Sequence, residues 1–285
     1  MSAGVDRLSS LLERFRVRAH LFHAGPLCGE TRYAALPGLG FMHVMRSGKM
    51  VVTHQPRGGA PRRIAVKEPS LLFYPRPLAH SFHNAPEEGC DFTCATVEFE
   101  GGANHPLACA LPAVMVLPLS QVAGLEHTLA LLFAETEQVR CGHRLLADRL
   151  LDVLLIQLLR WLLDHPEESL LPPGLLAGLS HPQLAKALVA LHEQPGEAWT
   201  LQRMAERAGM SRSAFAATFK AHVGDAPAEY LAQWRMAIAQ AQLRKGVSIK
   251  AAAQALGYSS ASALSRVFTQ KVGVSPREWL NVPRS

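Results

Sequence analysis

Five cysteines in 285 residues, Cys28, Cys90, Cys94, Cys109 and Cys141, are odd in number and irregularly spaced, which argues against a disulfide framework. Long hydrophobic runs are also missing. The most apolar stretch, Leu150 to Leu163, is too short to span a bilayer and is broken by Asp152, Gln157 and Arg160. The opening MSAGVDRLSSLLERF lacks the unbroken apolar run of a secretory signal, and the expectation is a cytoplasmic protein. With 48% hydrophobic and 18% charged residues, the chain has enough apolar material for two globular domains, each with its own core, and disorder is excluded as a general description.

Negative charge is scarce in one region. Residues 1–180 hold 16 Lys and Arg against 17 Asp and Glu, whereas residues 181–285 hold 13 against 6, so the whole formal excess of +6 lies in the C-terminal third. A local excess of this kind suits a polyanion. Without a lipidation motif or a basic amphipathic anchor it points to nucleic acid rather than membrane.

Up to about residue 118 the chain consists of short apolar runs punctuated by Gly and Pro: FRVRAHLF, GFMHVM, KMVVTHQ, RRIAV, SLLFYP and CDFTCATVEF. These read as the strands of a β-rich domain, with PRGGAPRR and NAPEEG as turns or loops. Residues 119–166 read as helical, through LEHTLALLFAETEQV and the longer HRLLADRLLDVLLIQLLRWLLDHP. The second of these is apolar on nearly every side, which suits a core helix or a helical dimer interface. Residues 167–180, EESLLPPGLLAGLS, read as a linker, and 181–285 as all helix, with Ser180, Pro182 and Gln183 resembling a capping box.

The basic third repeats itself. WTLQRMAERAGMSRSAFAATFKAHVG, residues 199–224, is answered by SIKAAAQALGYSSASALSRVFTQKVG, residues 248–273. Each copy has a short helix, a turn glycine (Gly209, Gly257), a serine placed to cap the next helix (Ser211; Ser259 or Ser260) and an apolar stripe (Phe215, Phe219, Val223; Leu264, Phe268, Val272). This is the helix-turn-helix pattern. Gly209 and Gly257 are 48 apart while Phe219 and Phe268, Gly224 and Gly273, and Pro227 and Pro276 are 49 apart, so the second turn carries one extra residue. Between them APAEYLAQWRMAIAQAQLRKG reads as a rigid connecting helix. If it holds the second helices about 34 Å apart, both enter successive major grooves of one DNA face.

With the stripes turned inward, helix geometry faces Arg212, Ser213, Ala216, Ala217 and Lys220 outward in the first copy and Ala261, Ser262, Ser265, Arg266 and Thr269 in the second. Together with the caps Ser211 and Ser260 these are the candidate DNA-binding residues. Arg266, mid-helix among small neighbours, suits guanine O6 and N7, whereas Arg212 and Lys220 suit phosphate.

In WTLQRMAERAGMSRSAF, YLAQWRMAIAQAQL, ALGYSS, ALSRVF and GVSPREWL the C-terminal hundred residues resemble the AraC-type regulators. The pattern departs mainly at Ala216, Ala217, Leu264 and Thr269, where larger, polar or aromatic residues are common in that family. FRVRAHLFHAGPLCG, FMHVMRSG, LLFYPRPLAHSF and CATVEFEGGANHPL resemble the cupin-like sensor domain of a subset of them. The resemblance implies an α+β multidomain protein: an N-terminal cupin-like β-barrel (1–118) with a helical dimerisation segment (119–166), then an all-α double helix-turn-helix domain (181–285). It further implies a transcription regulator of double-stranded DNA and no enzyme, a homodimer, and contact with RNA polymerase if it activates.

The barrel's signal has three readings. His43, His80 and His83, with His20, His23 and a cysteine nearby, are candidate ligands for zinc or copper, although His80 and His83 fall on opposite faces of a regular strand. Cys28 and Cys94 stand where related cupin-type regulators also carry cysteine, and Arg32 is a candidate to activate a thiol for redox sensing. A small organic ligand in the barrel is the third. The His-x-His with downstream Glu of enzymatic cupins is missing, which disfavours a cupin metalloenzyme.

Overall fold

The computed structural model describes residues 5–55, 59–84, 89–100, 102, 105–169 and 171–281. Residues 56–58 of PRGGAPRR and 85–88 of NAPEEG, expected as turns, lie outside the described residues. The chain divides into two compact units: Val17–Ala103 with Leu107–Asp164, and the described parts of Met1–Arg16, Asn104–Pro106 and His165–Ser285.

Among the described residues the first unit contains nine strands: β1 Val17–Leu27, β2 Glu30–Tyr33, β3 Leu39–Ser47, β4 Met50–His54, β5 Arg63–Val66, β6 Ser70–Tyr74, β7 His80–Asn84, β8 Cys90–Phe99 and β9 Met115–Pro118. All pairings are antiparallel, in a five-stranded sheet ordered β1-β8-β3-β6-β9 and a four-stranded sheet ordered β2-β7-β4-β5. Every apolar run expected to be a strand contains one. Two others, β2 and β7, lie in stretches too polar or Pro-broken to announce themselves, and β9 falls in AVMVLP at the end of the β-rich stretch. The alternation of β4, with Met50, Val52 and His54 buried and Val51 and Thr53 half-buried, shows how period two selects the inward face. Phe41, Met45, Met50, Val52, Val66, Leu72, Tyr74, Phe82, Phe92 and Cys94 meet between the sheets.

Two helices, α3 Glu126–Glu137 and α4 His143–Asp164, follow the short α2 Pro106–Ala110. On α4, Leu151, Leu154, Leu155, Leu158, Leu159 and Leu162 are buried. The strand β1 is at a sheet edge, where unpaired backbone N–H groups invite aggregation. Here α4 supplies carboxylates instead of another strand. Asp152 accepts from the Ala19 N–H at 2.9 Å, and Asp148 from the Leu21 N–H at 2.7 Å and the His20 ring at 3.0 Å. An apolar helix thus keeps two acids because they satisfy donors that no strand pairs.

The second unit is helical: α1 Ser9–Arg14, α5 Pro166–Ser169, α6 Leu175–Ser180, α7 Pro182–Glu193, α8 Leu201–Ala208, α9 Arg212–Val223, α10 Pro227–Arg244, α11 Ile249–Ala255, α12 Ala261–Val272 and α13 Pro276–Asn281. Part of the stretch read as linker is therefore core. Leu175, Leu176 and Leu179 of α6 are buried, and a Cβ on Gly178 would press into Val223 and Leu188. The N-cap of α7 is His181, not Ser180. His181 Nδ1 accepts from the Gln183 and Leu184 N–H groups at 3.3 and 3.4 Å, with Pro182 in the first turn, while the Ser180 hydroxyl turns back to Leu176 O. The segment preceding β1 also belongs to this unit: Phe15 packs edge-on against Trp234 at 5.0 Å and His105 at 5.7 Å, and Arg14 donates to the carbonyls of His192 and Glu193.

Candidate nucleic-acid interface

The two copies of the repeated pattern fold alike. Thr200 caps α8, Ser211 caps α9, Ser248 caps α11 and Ser260 caps α12, each accepting a backbone N–H three residues on. The choice between Ser259 and Ser260 falls to Ser260. Gly209 and Gly257, both with positive φ (66° and 75°), make the turns, and two residues separate Gly257 from its following cap where one separates Gly209. That is the extra residue seen in the offsets.

In α9, Phe215, Phe219 and Val223 are buried, and Arg212, Ser213, Ala217 and Lys220 are exposed on the opposite side. Ala216 departs from the expectation. It is half-buried and lines a cleft of about 460 Å³ with Trp199, Met204, Leu231, Arg235 and Tyr258, because it falls at the border of the buried stripe. In α12, Leu264 and Phe268 are buried, Ser262, Arg266 and Thr269 are exposed, and Ala261 and Ser265 are half-buried. The Ser265 hydroxyl donates to Ala261 O and that of Thr269 to Ser265 O, both at 2.9 Å, so each hydroxyl proton is already used within the helix. Ser211 and Ser260 spend an oxygen lone pair as caps. Gln270, exposed one position beyond Thr269 and four beyond Arg266, is a candidate base reader that the sequence reading passed over. Its place four residues after Arg266 on one helix was the available signal.

The sensor candidates do not converge as a set. His83 points to the outer face, where its Nε2 meets Thr53 Oγ1 at 2.9 Å, while His43 and His80 are buried inside. The zinc or copper reading of His43, His80 and His83 fails on this parity: in β7 the three-residue spacing sends the two rings to opposite sides. Among the described residues no group of three or more His, Cys, Asp or Glu side chains is arranged to hold a metal. What does assemble is an interior cluster. His80 Nδ1 bonds Leu78 O at 2.8 Å, so it carries the proton; His80 Nε2 then accepts from His43 Nε2 at 3.0 Å. Tyr74 stacks on the His80 ring at 4.0 Å and its hydroxyl reaches His54 Nε2 at 3.0 Å, while Tyr33 stacks on His80 at 5.0 Å. His54 sat unnoticed at the end of an alternating strand, Met50, Val52, His54, whose parity aims it inward.

Cys28 and Cys94 are also apart. The β1–β8 register sets Leu27 opposite Cys90 and His23 opposite Cys94. Cys28 therefore lies just past the Cys90 end, about 17 Å along the strand from Cys94 at about 3.4 Å per residue, well beyond the roughly 7 Å between Cα atoms that a disulfide tolerates. Cys28 is exposed and Cys94 buried. Burial pushes the Cys94 thiol up to about 12, only partly opposed by its contact with Tyr33. Arg32 turns its guanidinium to Glu30 at 2.8 and 3.1 Å.

A cupin unit joined to a double helix-turn-helix unit defines a class. Residues 6–164, more than half of the chain, match the family model described as cupin, and residues 204–281 match the model described as a helix-turn-helix domain. A Streptomyces antibioticus protein named as an AraC-like transcription regulator is 38% identical over 192 residues, covering 65% of this chain and 61% of that protein. One of the same name from Streptomyces lividans is 40% identical over 140 residues, covering 49% and 45%. The match thus spans only 61% and 45% of these two relatives' own lengths. The RCS-specific HTH-type transcriptional activator RclR of Escherichia coli strain K12 is 25% identical over 215 residues, 74% of each chain. This chain belongs to the AraC-type regulators with an N-terminal cupin domain.

Burial, partly offset by the Leu78 carbonyl, lowers His80 to about 4, and burial beside His80 holds His43 well below its ordinary value. Both rings are thus neutral in the fold and take up protons more readily when unfolded. The first unit is expected to keep full stability above about pH 6.5 and to lose up to about 1.4 kcal/mol per pH unit through His80 as the pH falls from about 6.5 to 4, with His43 acting in the same direction. Urea unfolding across that window measures it, and His80→Gln should flatten the slope.

Proposed function

We propose that the chain is a sequence-specific DNA-binding transcription regulator, reading one operator with α9 and α12 and governed by a signal received in its cupin domain. The observation that carries this is the pair of serine-capped helices whose outward faces present Arg212 and Lys220 in one copy and Arg266 in the other, within a region of strong positive charge. Arg212 and Lys220 hold phosphate, fixing register, and Arg266 with Gln270 reads base edges. The membership in the AraC-type regulators supports the same reading. Arg266→Ala should cost about 1–3 kcal/mol on the operator and much less on a scrambled duplex, measured by fluorescence anisotropy at fixed salt. An equal loss on both removes Arg266 as a base reader.

The signal we assign to oxidation, entering at Cys28 rather than at Cys94. Cys28 is the exposed thiol of the two, Cys94 is buried with its thiolate disfavoured, and the similar RclR is named as an RCS-specific activator. Cys28→Ser should abolish any change in operator affinity on mild hypochlorite treatment, and Cys94→Ser should leave the change in place. The reverse pattern overturns the assignment.

A second copy of the chain is the partner we assign to the outer face of α3 and α4. Leu131, Leu145, Leu146 and Val153 are exposed there, with relative exposures of 60%, 63%, 48% and 43%. Analytical ultracentrifugation should show a dimer for the native chain and a monomer for Leu146→Asp; a native monomer at tens of micromolar removes the reading.

A further inference from the structure

Between α7 and α8 the chain runs Gln194-Pro195-Gly196-Glu197-Ala198-Trp199, and this short loop is tied to three elements at once. Toward the first helix-turn-helix, Arg203 of α8 donates to the Glu197 carboxylate at 3.1 Å and its guanidinium lies 4.7 Å above the Trp199 ring. Toward the connecting helix, Arg235, mid-way along α10, donates from Nε to Pro195 O at 2.7 Å and from Nη2 to Glu197 O at 2.9 Å. Toward the second helix-turn-helix, the loop meets the turn backbone to backbone. A Cβ on Gly196 would collide with Ala255 O, and one on Gly257 would collide with Gly196 O. The Arg235 guanidinium also lies 5.7 Å from the ring centroid of Tyr258, the residue after that turn.

A single helix such as α10 sets the distance between what it carries at its ends, but it leaves each end free to pivot where it meets a turn. The loop removes that freedom. Arg235 offers a planar fork whose two donors fix the loop's orientation as well as its distance, which an ammonium could not do. The glycine pair then lets the second turn seat directly on the loop.

We propose that Arg235, with Gly196 and Gly257, is a spacing lock: a positioning group that sets the relative rotation of α9 and α12 and thereby the one half-site spacing the protein accepts. The proposal rests on the reading of both helices as DNA-binding. One inserted base pair turns the second half-site by about 34° relative to the first, so a rigid reader rejects it and a pivoting reader tolerates it. The residues that touch bases are unchanged by the lock, so base preference and spacing preference separate.

The test uses full-length protein and a duplex selected by the wild type from a random pool, together with versions carrying one base pair inserted or removed between the half-sites. Wild type should lose about tenfold or more on either altered spacing, comparable to the cost of a mismatched base pair. Arg235→Met should shrink that spacing discrimination to about threefold or less while keeping its preference for the selected bases over scrambled ones. Gly196→Ala, which pushes the loop off the second turn, should act in the same direction and serves if Arg235→Met does not fold, as judged by cooperative thermal unfolding. An Arg235→Met or Gly196→Ala protein that folds and keeps the full spacing discrimination overturns the lock. A wild type that selects no sequence at all overturns the DNA-binding reading beneath it, which is a different result.

Discussion

Burying one apolar stripe per recognition helix is the constraint on which the helical unit depends. Phe215 and Phe219 are fully buried and pack ring against ring at 5.4 Å, and Phe219 continues to Tyr230 of α10. In α12, Leu264 and Phe268 do the same, with Phe268 edge-on to Trp279. Each buried phenyl contributes on the order of 1.5–3 kcal/mol, and a helix of twelve residues has no second face to spare. The exposed side chains are confined to the opposite side, and the positions at the border, such as Ala216 and Ser265, are half-buried by packing.

The same economy governs polar groups. His192 is fully buried, and its Nε2 meets the Tyr230 hydroxyl at 2.6 Å, while burial lowers the ring to about 3. It stays neutral and acts as a hydrogen-bonding core residue. In the cupin unit Asp148 and Asp152 spend their charge on edge-strand donors, and burial holds His43 and His80 toward the neutral form, their Nε2 atoms bonded to each other. His80 and His192 thus serve as hydrogen-bonding members of the two cores.

The cupin unit and the double helix-turn-helix unit each hold their own core. The two helix-turn-helix copies repeat one local fold within a single chain, and the two sheets of the cupin unit share one packed interior. The loop at Gly196 meets the second turn backbone to backbone, an approach that a side chain at Gly196 or Gly257 would block.

Much of this was legible in the sequence. The duplicated stripe, the turn glycines, the capping serines and the charge asymmetry are all short-range patterns, and local chemistry decides helix starts, stops and inward faces. The strands rich in Val, Phe and Met were legible for the same reason. What the tertiary structure alone decided are relations between distant segments: that His83 turns away from His43 and His80, that Cys28 lies at the Cys90 end of β1 and β8, that α6 and Phe15 belong to the helical unit, and that Gly196 seats on Gly257. Strand register and backbone contact depend on how segments pack against one another, and residue type and spacing along the chain carry no record of that.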